Sequence, residues 1–321
     1  MVAEVVTVVV PTRNRRASLE RTVHAVLGQV DVDTRLVVVD DGSTDDTERF
    51  LMSLPPDRCR TLRLGGVGPS AARNAGIDEA HSPFVAFCDD DDRWAPTKLT
   101  RQIAAMREAR ARWSCTGTVY VDNAYRVIGH ERAANGDIYG QLHEHNAVSG
   151  SASAVIAERS LLDAVGRFDT TMVGAEDWDM WIRMAAHSPI AGVDAPLIAY
   201  RVSDNSVSGD IEQLNRSRDA FLAKHGDSVT DREQSQLMYD RWVTRIDLRN
   251  GRRFGAGRRL LRIAWTQRTA KEVPHAVAAV LAPGVVERRH ARRVSEQVPA
   301  AWRAEAEAWL QTTSKAAPAL V

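Results

Sequence analysis

The amino-acid sequence predicts an α/β fold, with a mostly parallel sheet flanked by helices and a helical C-terminal region. Three observations support this prediction. Short apolar runs alternate with segments of helical periodicity between residues 5 and 92, which is typical of an open parallel sheet. Polar or acidic clusters follow several of these runs. Strand patterns stop near residue 205, so we predict an α/β domain over residues 1–205 and a helical, arginine-rich region over residues 206–321.

The predicted strands of the first half are short apolar runs of the kind that is buried on both faces of a sheet. They are Val5–Val10, Leu36–Val39, Thr61–Leu64 and Phe84–Phe87. Apolar residues at helical spacing separate them. The predicted helices carry the stripe from Leu19 to Val30, a segment from the capping-box signal of Ser43 and Asp46 to about Leu54, and the part of Gly66–Ala80 that follows its Gly-Pro-Ser turn.

The sequence of the second half of this domain predicts strands joined by hairpins as well as by crossover connections. A helix with Leu99, Ile103 and Met106 on one stripe precedes it. The predicted strands are Cys115–Val121, Val127–His130, Ala152–Ile156 and Ile198–Val202, of which the last closes the sheet. Helices are predicted near Arg159–Val165 and around Trp178 and Trp181.

The composition argues against several classes of protein. The chain has 321 residues, 42 of them Lys or Arg and 42 Asp or Glu, so its formal net charge is zero. Because nucleic-acid binding usually needs a basic excess, we expect no nucleic-acid partner. The three cysteines form no CxxC pair and indicate reduced thiols in a cytoplasmic protein. No apolar run approaches the roughly 20 residues that span a bilayer, so we expect a soluble protein, or at most one peripheral at the inner face of the membrane.

Three polar clusters fall at the carboxyl ends of predicted strands. They are Pro11-Thr12-Arg13-Asn14, Asp40-Asp41 and Asp89–Asp92. In open α/β sheets the ligand crevice lies beyond these strand ends. The sequence therefore predicts that the three clusters meet at one binding site.

The four consecutive carboxylates Asp89–Asp92 are the most informative feature of the sequence. Two unit charges 4 Å apart repel by roughly 4 kcal/mol at an effective dielectric constant near 20. Strand alternation places Asp89 and Asp91 on one side if the chain stays extended. Two hard oxygen ligands with open positions suit Mg²⁺ or Mn²⁺ bridging a diphosphate. The alternative is a solvated acidic turn with a helix N-cap.

Two further segments carry candidate functional groups. Arg73 follows a Gly-rich turn, where a guanidinium suits phosphate, although a surface arginine on an amphipathic helix gives the same pattern. Glu176 and Asp177 open the helix that carries Trp178. Acidic residues in a first turn are often dipole partners only, and the functional interpretation makes one of them a general base for an acceptor hydroxyl.

Six segments in this order resemble the family 2 glycosyltransferases with the GT-A fold. They are VTVVVPTRNR, VVVDDGSTDDT, GPSAARNAGI, FVAFCDDDDRWAPTKL, SASAVIAERSLLDAVGRFD and GAEDWDMWIRMA. The resemblance covers about residues 4–205 and is highly specific because all six occur in order with the right spacing. It implies an inverting enzyme that moves a sugar from a nucleoside-diphosphate sugar, expected to be a UDP-sugar, to an acceptor hydroxyl with Mn²⁺ or Mg²⁺.

The resemblance also implies roles for individual residues. Asp177 resembles the catalytic base of the ED element, preceded by Glu176. Asp89 and Asp91 resemble the metal-binding DxD element. Its central residue, usually small, is Asp90 here, so the register of the metal ligands is ambiguous and Asp92 is a further candidate. The residues that resemble the nucleotide-binding ones are Pro11, Thr12, Arg13, Asp40, Asp41, Arg73, Asp89 and Asp90.

Two other functions fit the same kind of sheet. A sugar-phosphate nucleotidyltransferase usually has a Gly-rich basic loop after its first strand, where this chain has Pro-Thr-Arg-Asn. A non-catalytic nucleotide-sugar-binding protein is the other, and the intact Asp177 and Asp89–Asp91 argue against it. A glycan, a lipid-linked sugar and a small natural product all stay open as acceptors.

The C-terminal region combines arginines with apolar residues. Arg252, Arg253, Arg258, Arg259 and Arg262 surround Leu260, Leu261, Ile263 and Trp265. A basic amphipathic segment is typical of peripheral contact with an anionic membrane. Helices that pack on the catalytic domain or on the second subunit of a homodimer give the same pattern, so both interpretations stay open.

Overall fold

The computed structural model describes residues 3–172, 174–202, 211–229, 231–269, 271 and 273–315. Within them, nine strands form one sheet. The strands are β1 Glu4–Thr12, β2 Val32–Asp40, β3 Cys59–Arg63, β4 Phe84–Phe87, β5 Arg93–Trp94, β6 Trp113–Val121, β7 Val127–Glu131, β8 Ile156–Glu158 and β9 Ile190–Arg201. Their order across the sheet is β3-β2-β1-β4-β8-β6-β9-β5, and β7 pairs with β6.

The sheet is parallel in its first half and mixed in its second. β1 pairs with β2 and β4 in parallel, and β2 pairs with β3 in parallel, which is the crossover topology that the alternating pattern predicts. β8 then runs antiparallel to both β4 and β6, and β6 also forms a hairpin with β7. The α/β class is thus confirmed, with a mixed sheet because β7, β8 and β5 run antiparallel to their neighbours.

Thirteen helices accompany the sheet within the described residues. The first seven are α1 Arg16–Leu27, α2 Thr47–Leu51, α3 Pro69–Asp78, α4 Lys98–Ala109, α5 Tyr139–Glu144, α6 Arg159–Ala164 and α7 Glu176–Ala185. The others are α8 Ile211–His225, α9 Arg232–Arg249, α10 Arg253–Thr266, α11 Val273–Leu281, α12 Pro283–Glu296 and α13 Ala300–Lys315. The apolar stripes of α1, α3, α4, α6 and α7 cover the sheet, as in α1, where Leu19, Val23 and Val26 are fully buried.

Two local predictions are wrong. The predicted capping box does not form, because the hydroxyl of Ser43 accepts a hydrogen bond from the backbone N–H of Asn14, and Asp45 accepts that of Thr47. The predicted strand at residues 152–156 is mostly a 3₁₀ turn at Ser151–Ala154. This turn places Ser151 and Ser153 beside the polar end of the sheet, where Ser151 donates to Asp177 and Ser153 accepts from the backbone N–H of Asp89.

The C-terminal region is helical, as predicted, but its last helix returns to the sheet. Trp302, Ala306 and Trp309 of α13 pack in one apolar cluster with residues of β6 and β9. The indole of Trp309 donates to the carbonyl of Pro196 in β9 at 2.9 Å. The predicted boundary at residue 205 lies outside the described residues. No helix in the described part of the chain has the length and apolar character needed to cross a membrane.

Candidate active site

The three polar clusters predicted from strand ends come together at one edge of the sheet. Thr12 and Asp40 end β1 and β2 and lie opposite each other in the parallel register. Asp89 follows β4 by two residues, and β4 is the other neighbour of β1. The hydroxyl of Thr12 donates to Oδ2 of Asp90 at 2.7 Å, which joins the first cluster to the third. The three clusters therefore lie together at one edge of the sheet, as predicted, and their role in binding stays a prediction.

The acidic segment Asp89–Asp92 forms a tight turn rather than an extended strand. The backbone N–H of Asp92 donates to the carbonyl of Asp89 at 3.2 Å. Each carboxylate consequently points to different neighbours. Burial raises the pKa of Asp90 to about 7, against the opposing effects of Arg15 and Thr12. Asp92 is fully buried, which together with the charges of Asp91 and Asp89 raises its pKa well above the usual range.

Two arginines that the sequence analysis missed hold Asp91. Nη1 of Arg15 lies 2.5 Å from Oδ2 of Asp91, and Nη2 of Arg201 lies 3.3 Å from the same oxygen. Arg15 also reaches Asp90, at 3.4 Å. A signal for Arg15 was present in the basic run after Pro11. Arg201 ends a strand 110 residues beyond Asp91, and a contact at that separation leaves no local pattern.

The acidic turn offers the ligands that a divalent cation prefers. Arginine contacts use Oδ1 of Asp89 and Oδ2 of Asp91, one oxygen of each carboxylate. Oδ2 of Asp92 is buried without a hydrogen-bond partner among the described residues. The described chain holds no group of three or more His, Cys, Asp or Glu arranged around a metal position. The residues therefore fit Mg²⁺ or Mn²⁺ only where a diphosphate and water complete the oxygen ligands.

Arg73 joins the acidic turn to helix α7. Its guanidinium donates from Nη2 to Asp89 at 2.8 Å and from Nη1 to Glu176 at 3.0 Å. Only 5% of the residue is exposed. Burial opposes its charge, but Asp89 and Glu176 outweigh that effect and raise its pKa. The neighbouring Asn74 exchanges two hydrogen bonds with the backbone of Phe168, which fixes the segment that leads towards α7.

Asp177 lies in the first turn of α7 and is partly buried. Its Oδ2 accepts from the hydroxyl of Ser151 at 3.1 Å, and its Oδ1 accepts from the backbone N–H of Trp178 at 2.7 Å. Burial raises the pKa of Asp177 to about 6, and the charge of Glu176 adds to this while Arg73 opposes it. Such a carboxylate is ionised at neutral pH and able to accept a proton.

Unusual backbone conformations hold Asp177 and its partner. Ala175, which precedes α7, has φ of 55°, and Ser151 has φ of 53°. Side chains other than glycine rarely occupy this left-handed region, at a cost of about 1–3 kcal/mol each, and such residues cluster at functional sites. Gly150 precedes Ser151 with φ of 73°, and a Cβ on it would meet the hydroxyl of Thr118 at 2.5 Å. The surrounding fold thus fixes the position of the Ser151 hydroxyl.

Asp40 and Asp41 shape the loop beside β1. Asp40 accepts from Arg63 at 2.9 Å and from the backbone N–H of Ser43 at 2.8 Å. Asp41 accepts three backbone N–H groups, of Gly66, Val67 and Gly68, at 2.7–2.9 Å. These contacts give Asp41 a structural role in the loop that leads into α3.

The other residues predicted to bind the nucleotide line the same edge. Pro11 lies in β1 directly before Thr12. Arg13 is exposed, with its guanidinium against the backbone of Gly66. Arg13 and the loop after β3 therefore lie on one side of the acidic turn, and α7 with Asp177 lies beyond Arg73 on the other.

Comparisons with known proteins match this architecture. The family model "Glycosyl transferase family 2" matches residues 7–162. An Escherichia coli protein named UDP-Glc:alpha-D-GlcNAc-diphosphoundecaprenol beta-1,3-glucosyltransferase WfgD is 26% identical over 220 residues, which are 67% of this chain and 85% of that protein. An uncharacterized glycosyltransferase of Rickettsia felis is 28% identical over 201 residues, which are 62% of this chain. The matched part is 33% of the length of the Rickettsia protein.

Solved structures show the same fold. The chain resembles S. aureus TarS 1-349 in complex with UDP, with a TM-score of 0.53 and 18% identity over 91% of this chain and 90% of that one. A complex of the same protein with UDP-GlcNAc gives a TM-score of 0.54 at 17% identity, over 89% of this chain and 91% of that one. The family model, the relatives and the fold agree that this chain is similar to the glycosyltransferases of family 2.

Proposed function

We propose that this protein transfers a sugar from a UDP-sugar to an acceptor hydroxyl, with inversion at the anomeric carbon. The observation that carries the proposal is the buried Arg73, which bonds Asp89 on one side and Glu176, next to Asp177, on the other. A candidate donor-binding turn and a candidate base thereby lie on the two sides of one guanidinium. Residues 1–205 would form the catalytic domain, with α13 completing its core.

Uracil as the base of the donor nucleotide is supported by the names of similar proteins. WfgD is named as using UDP-Glc, and TarS was solved with UDP and UDP-GlcNAc. In this chain Pro11, Thr12, Arg13 and Asp40 line the end of the sheet where the base and ribose would bind. Asp41 would act through the Gly66–Gly68 loop, since both of its oxygens accept backbone N–H groups of that loop.

The diphosphate would bind at the acidic turn. Asp89 and Asp91 would hold Mg²⁺ or Mn²⁺, which when bound neutralises charge on the departing diphosphate. Arg15 and Arg201, which converge on Asp91, are suited to contact phosphate oxygens once the nucleotide is present. Asp90 would stay hydrogen-bonded to Thr12, so its role would be to fix the turn against β1.

Asp177 would act as the general base. It accepts the proton of the acceptor hydroxyl while that oxygen attacks the anomeric carbon and the bond from this carbon to the diphosphate oxygen breaks. The products are UDP and a glycoside of inverted configuration. Ser151 keeps the Asp177 carboxylate in place, and Glu176 is held by Arg73 and so acts on the base only through its charge.

A lipid-linked sugar is the acceptor class that the relatives favour. Two Escherichia coli relatives, WfgD at 26% identity and WfaP at 25% identity, are named for transfer to GlcNAc-diphosphoundecaprenol. We therefore propose an acceptor of this chemical class, a sugar on a polyprenyl diphosphate.

Release of UDP from a panel of UDP-sugars in the presence of Mn²⁺ tests this function. Slow release without acceptor, accelerated by a polyprenyl-diphosphate sugar, is the expected result. Binding of UDP-sugars without any release would indicate a non-catalytic binding protein. Formation of a UDP-sugar from UTP and a sugar 1-phosphate would indicate a nucleotidyltransferase instead.

A further inference from the structure

Helices α10 and α11 form a hairpin whose outer surface is strongly apolar. Trp265 is 87% exposed, Leu281 77% and Phe254 68%. Leu261, Val273 and Val277 are also exposed. Phe254, Leu261 and Trp265 recur at helical spacing on α10, and Val273, Val277 and Leu281 recur likewise on α11. Each helix thus carries one exposed apolar stripe, and we call the two together the apolar face.

The two stripes lie on the same side of the hairpin. Gly257 near the start of α10 contacts Val280 and Ala276 of α11, so the helices are antiparallel. At about 100° per residue, each stripe lies roughly a quarter turn from this contact, in the same rotational sense along its own helix. In an antiparallel pair this arrangement puts both stripes on one side. The apolar face is therefore continuous across the hairpin.

The segment that carries the apolar face is also the most basic part of the chain. Residues 251–293 contain eleven Lys or Arg and two Glu, although the chain as a whole is neutral. Arg259 is buried against Asp247. Arg252 and Arg262 are exposed and pair with Asp247 and Asp240. The other exposed basic residues are Arg253, Arg258, Arg268, Lys271, Arg288, Arg289, Arg292 and Arg293. Arg258 lies on the stripe of α10 itself.

We propose that the apolar face docks on the surface of a bilayer that contains anionic lipids. Leucine, valine and aromatic side chains would enter the boundary between headgroups and acyl chains, and the arginines would contact phosphate groups. Tryptophan is suited to this boundary because it combines a large apolar ring with one polar N–H. A second copy of this chain is a poorer partner, since a symmetric interface would bring two strongly basic segments together.

Co-sedimentation with vesicles tests the proposal without any measurement of transfer. Wild-type protein is mixed at low salt with vesicles of phosphatidylcholine alone or with one quarter phosphatidylglycerol. The apolar variant Leu261→Ser/Trp265→Ser is compared with Met52→Ser, which removes an equally exposed residue (76%) from another surface. Thermal melting checks that the variants fold.

We expect binding to the anionic vesicles, and at least about tenfold weaker binding to neutral ones. The apolar variant should bind the anionic vesicles at least about tenfold more weakly, while Met52→Ser matches wild type. Absence of wild-type binding to anionic vesicles would overturn the proposal, as would unchanged binding of the apolar variant. A wild-type dimer in sedimentation velocity that the apolar variant does not form would assign the face to a second copy instead.

Discussion

Nη1 of Arg73 lies 3.0 Å from Oε1 of Glu176, across a sequence separation of 103 residues. This ion pair, with the second one from Arg73 to Asp89, links helix α3, the acidic turn and helix α7 through one buried guanidinium. Three carboxylates, those of Asp89, Glu176 and Asp177, depend on its charge. We therefore expect a substitution at Arg73 to change both the stability of the protein and the proposed sugar transfer.

Replacement of Arg73 tests this coupling. Arg73→Gln leaves the carboxylates without a cation, and breaking a buried ion pair in this way costs about 3–5 kcal/mol. Asp89 and Glu176 are partly exposed, so we expect a loss near the lower limit. Arg73→Lys keeps the charge but reaches fewer partners, and should cost less. Urea denaturation measures both variants. Equal stability of Arg73→Gln and wild type would contradict a stabilising role for the ion pairs of Arg73 with Asp89 and Glu176.

Substitution of Gly150 tests whether the backbone around Ser151 holds the carboxylate of Asp177 in place. Gly150→Ala introduces a methyl group that meets Thr118 Oγ1 at 2.5 Å, in a backbone region that alanine avoids. The matched control is Gly166→Ala, which has φ of 82° but open space around the new Cβ. We expect Gly166→Ala to lose about 1 kcal/mol and Gly150→Ala clearly more. Only Gly150→Ala should also slow UDP release, because it displaces Ser151 from Asp177. Equal effects of the two substitutions on both quantities would count against this role.

The metal prediction concerns Asp91. Asp91→Asn removes one carboxylate ligand, so UDP should bind at least about tenfold more weakly in Mn²⁺, and EDTA should weaken wild-type binding similarly. Asp33→Asn is the control, because Asp33 also pairs with an arginine, Arg35, but lies at the opposite end of β2 from Asp40. Calorimetry with UDP measures each case. A UDP affinity that is unchanged by EDTA and by Asp91→Asn would rule out a metal at this turn.

The pH dependence of transfer follows from Asp177. Its pKa is raised to about 6, so the carboxylate is ionised and can accept a proton only above that pH. The logarithm of kcat/KM should fall with unit slope as the pH drops below about 6. Glu176→Gln removes a charge that raises this pKa, and should shift the inflection to lower pH. A profile that stays flat to about pH 4.5 would exclude Asp177 as the titrating base.

Much of this site was predictable because it follows local patterns. The β-branched run ending at Pro11 and the acidic segment after Phe87 identify two neighbouring strand ends, and the topology of an open sheet brings them together. The bend at Asp89–Asp92 was not predictable, since it depends on hydrogen bonds made by distant residues. Arg201 and Ser151 are further examples. Arg201 lies in a segment of ordinary composition, and nothing in the segment that Ser151 opens indicates its contact with Asp177; both reach the site only through the tertiary fold.

For the C-terminal helices too, the sequence predicts the secondary structure but not which side chains are buried. Their helical character follows from the sequence, but amphipathic helices with many arginines can pack inward or remain exposed. Arg259 and Trp309 are buried by partners in α9 and β9, whereas Trp265, with a similar local sequence, is exposed. Only the tertiary contacts separate these cases.

The most direct test of the account is the substitution Asp177→Asn. It keeps the shape of the side chain and its contacts with Ser151 and Trp178, and it removes the ability to accept a proton. We propose that the nucleotide binds at the acidic turn and the loop at residues 66–68, so UDP affinity in Mn²⁺ should stay within about twofold of wild type. The rate of UDP release from the best UDP-sugar should fall by about 10²–10⁴-fold, the range typical of a lost general base.

Both quantities are measured on the same preparations, by calorimetry for UDP binding and by a coupled assay for UDP release, with Glu176→Gln beside Asp177→Asn. The account predicts intact binding with lost release for Asp177→Asn, and a milder loss for Glu176→Gln. Near-normal UDP release by Asp177→Asn together with lost UDP release by Glu176→Gln would indicate that Glu176, and not Asp177, is the general base. Normal release by both variants would contradict the proposed inverting mechanism.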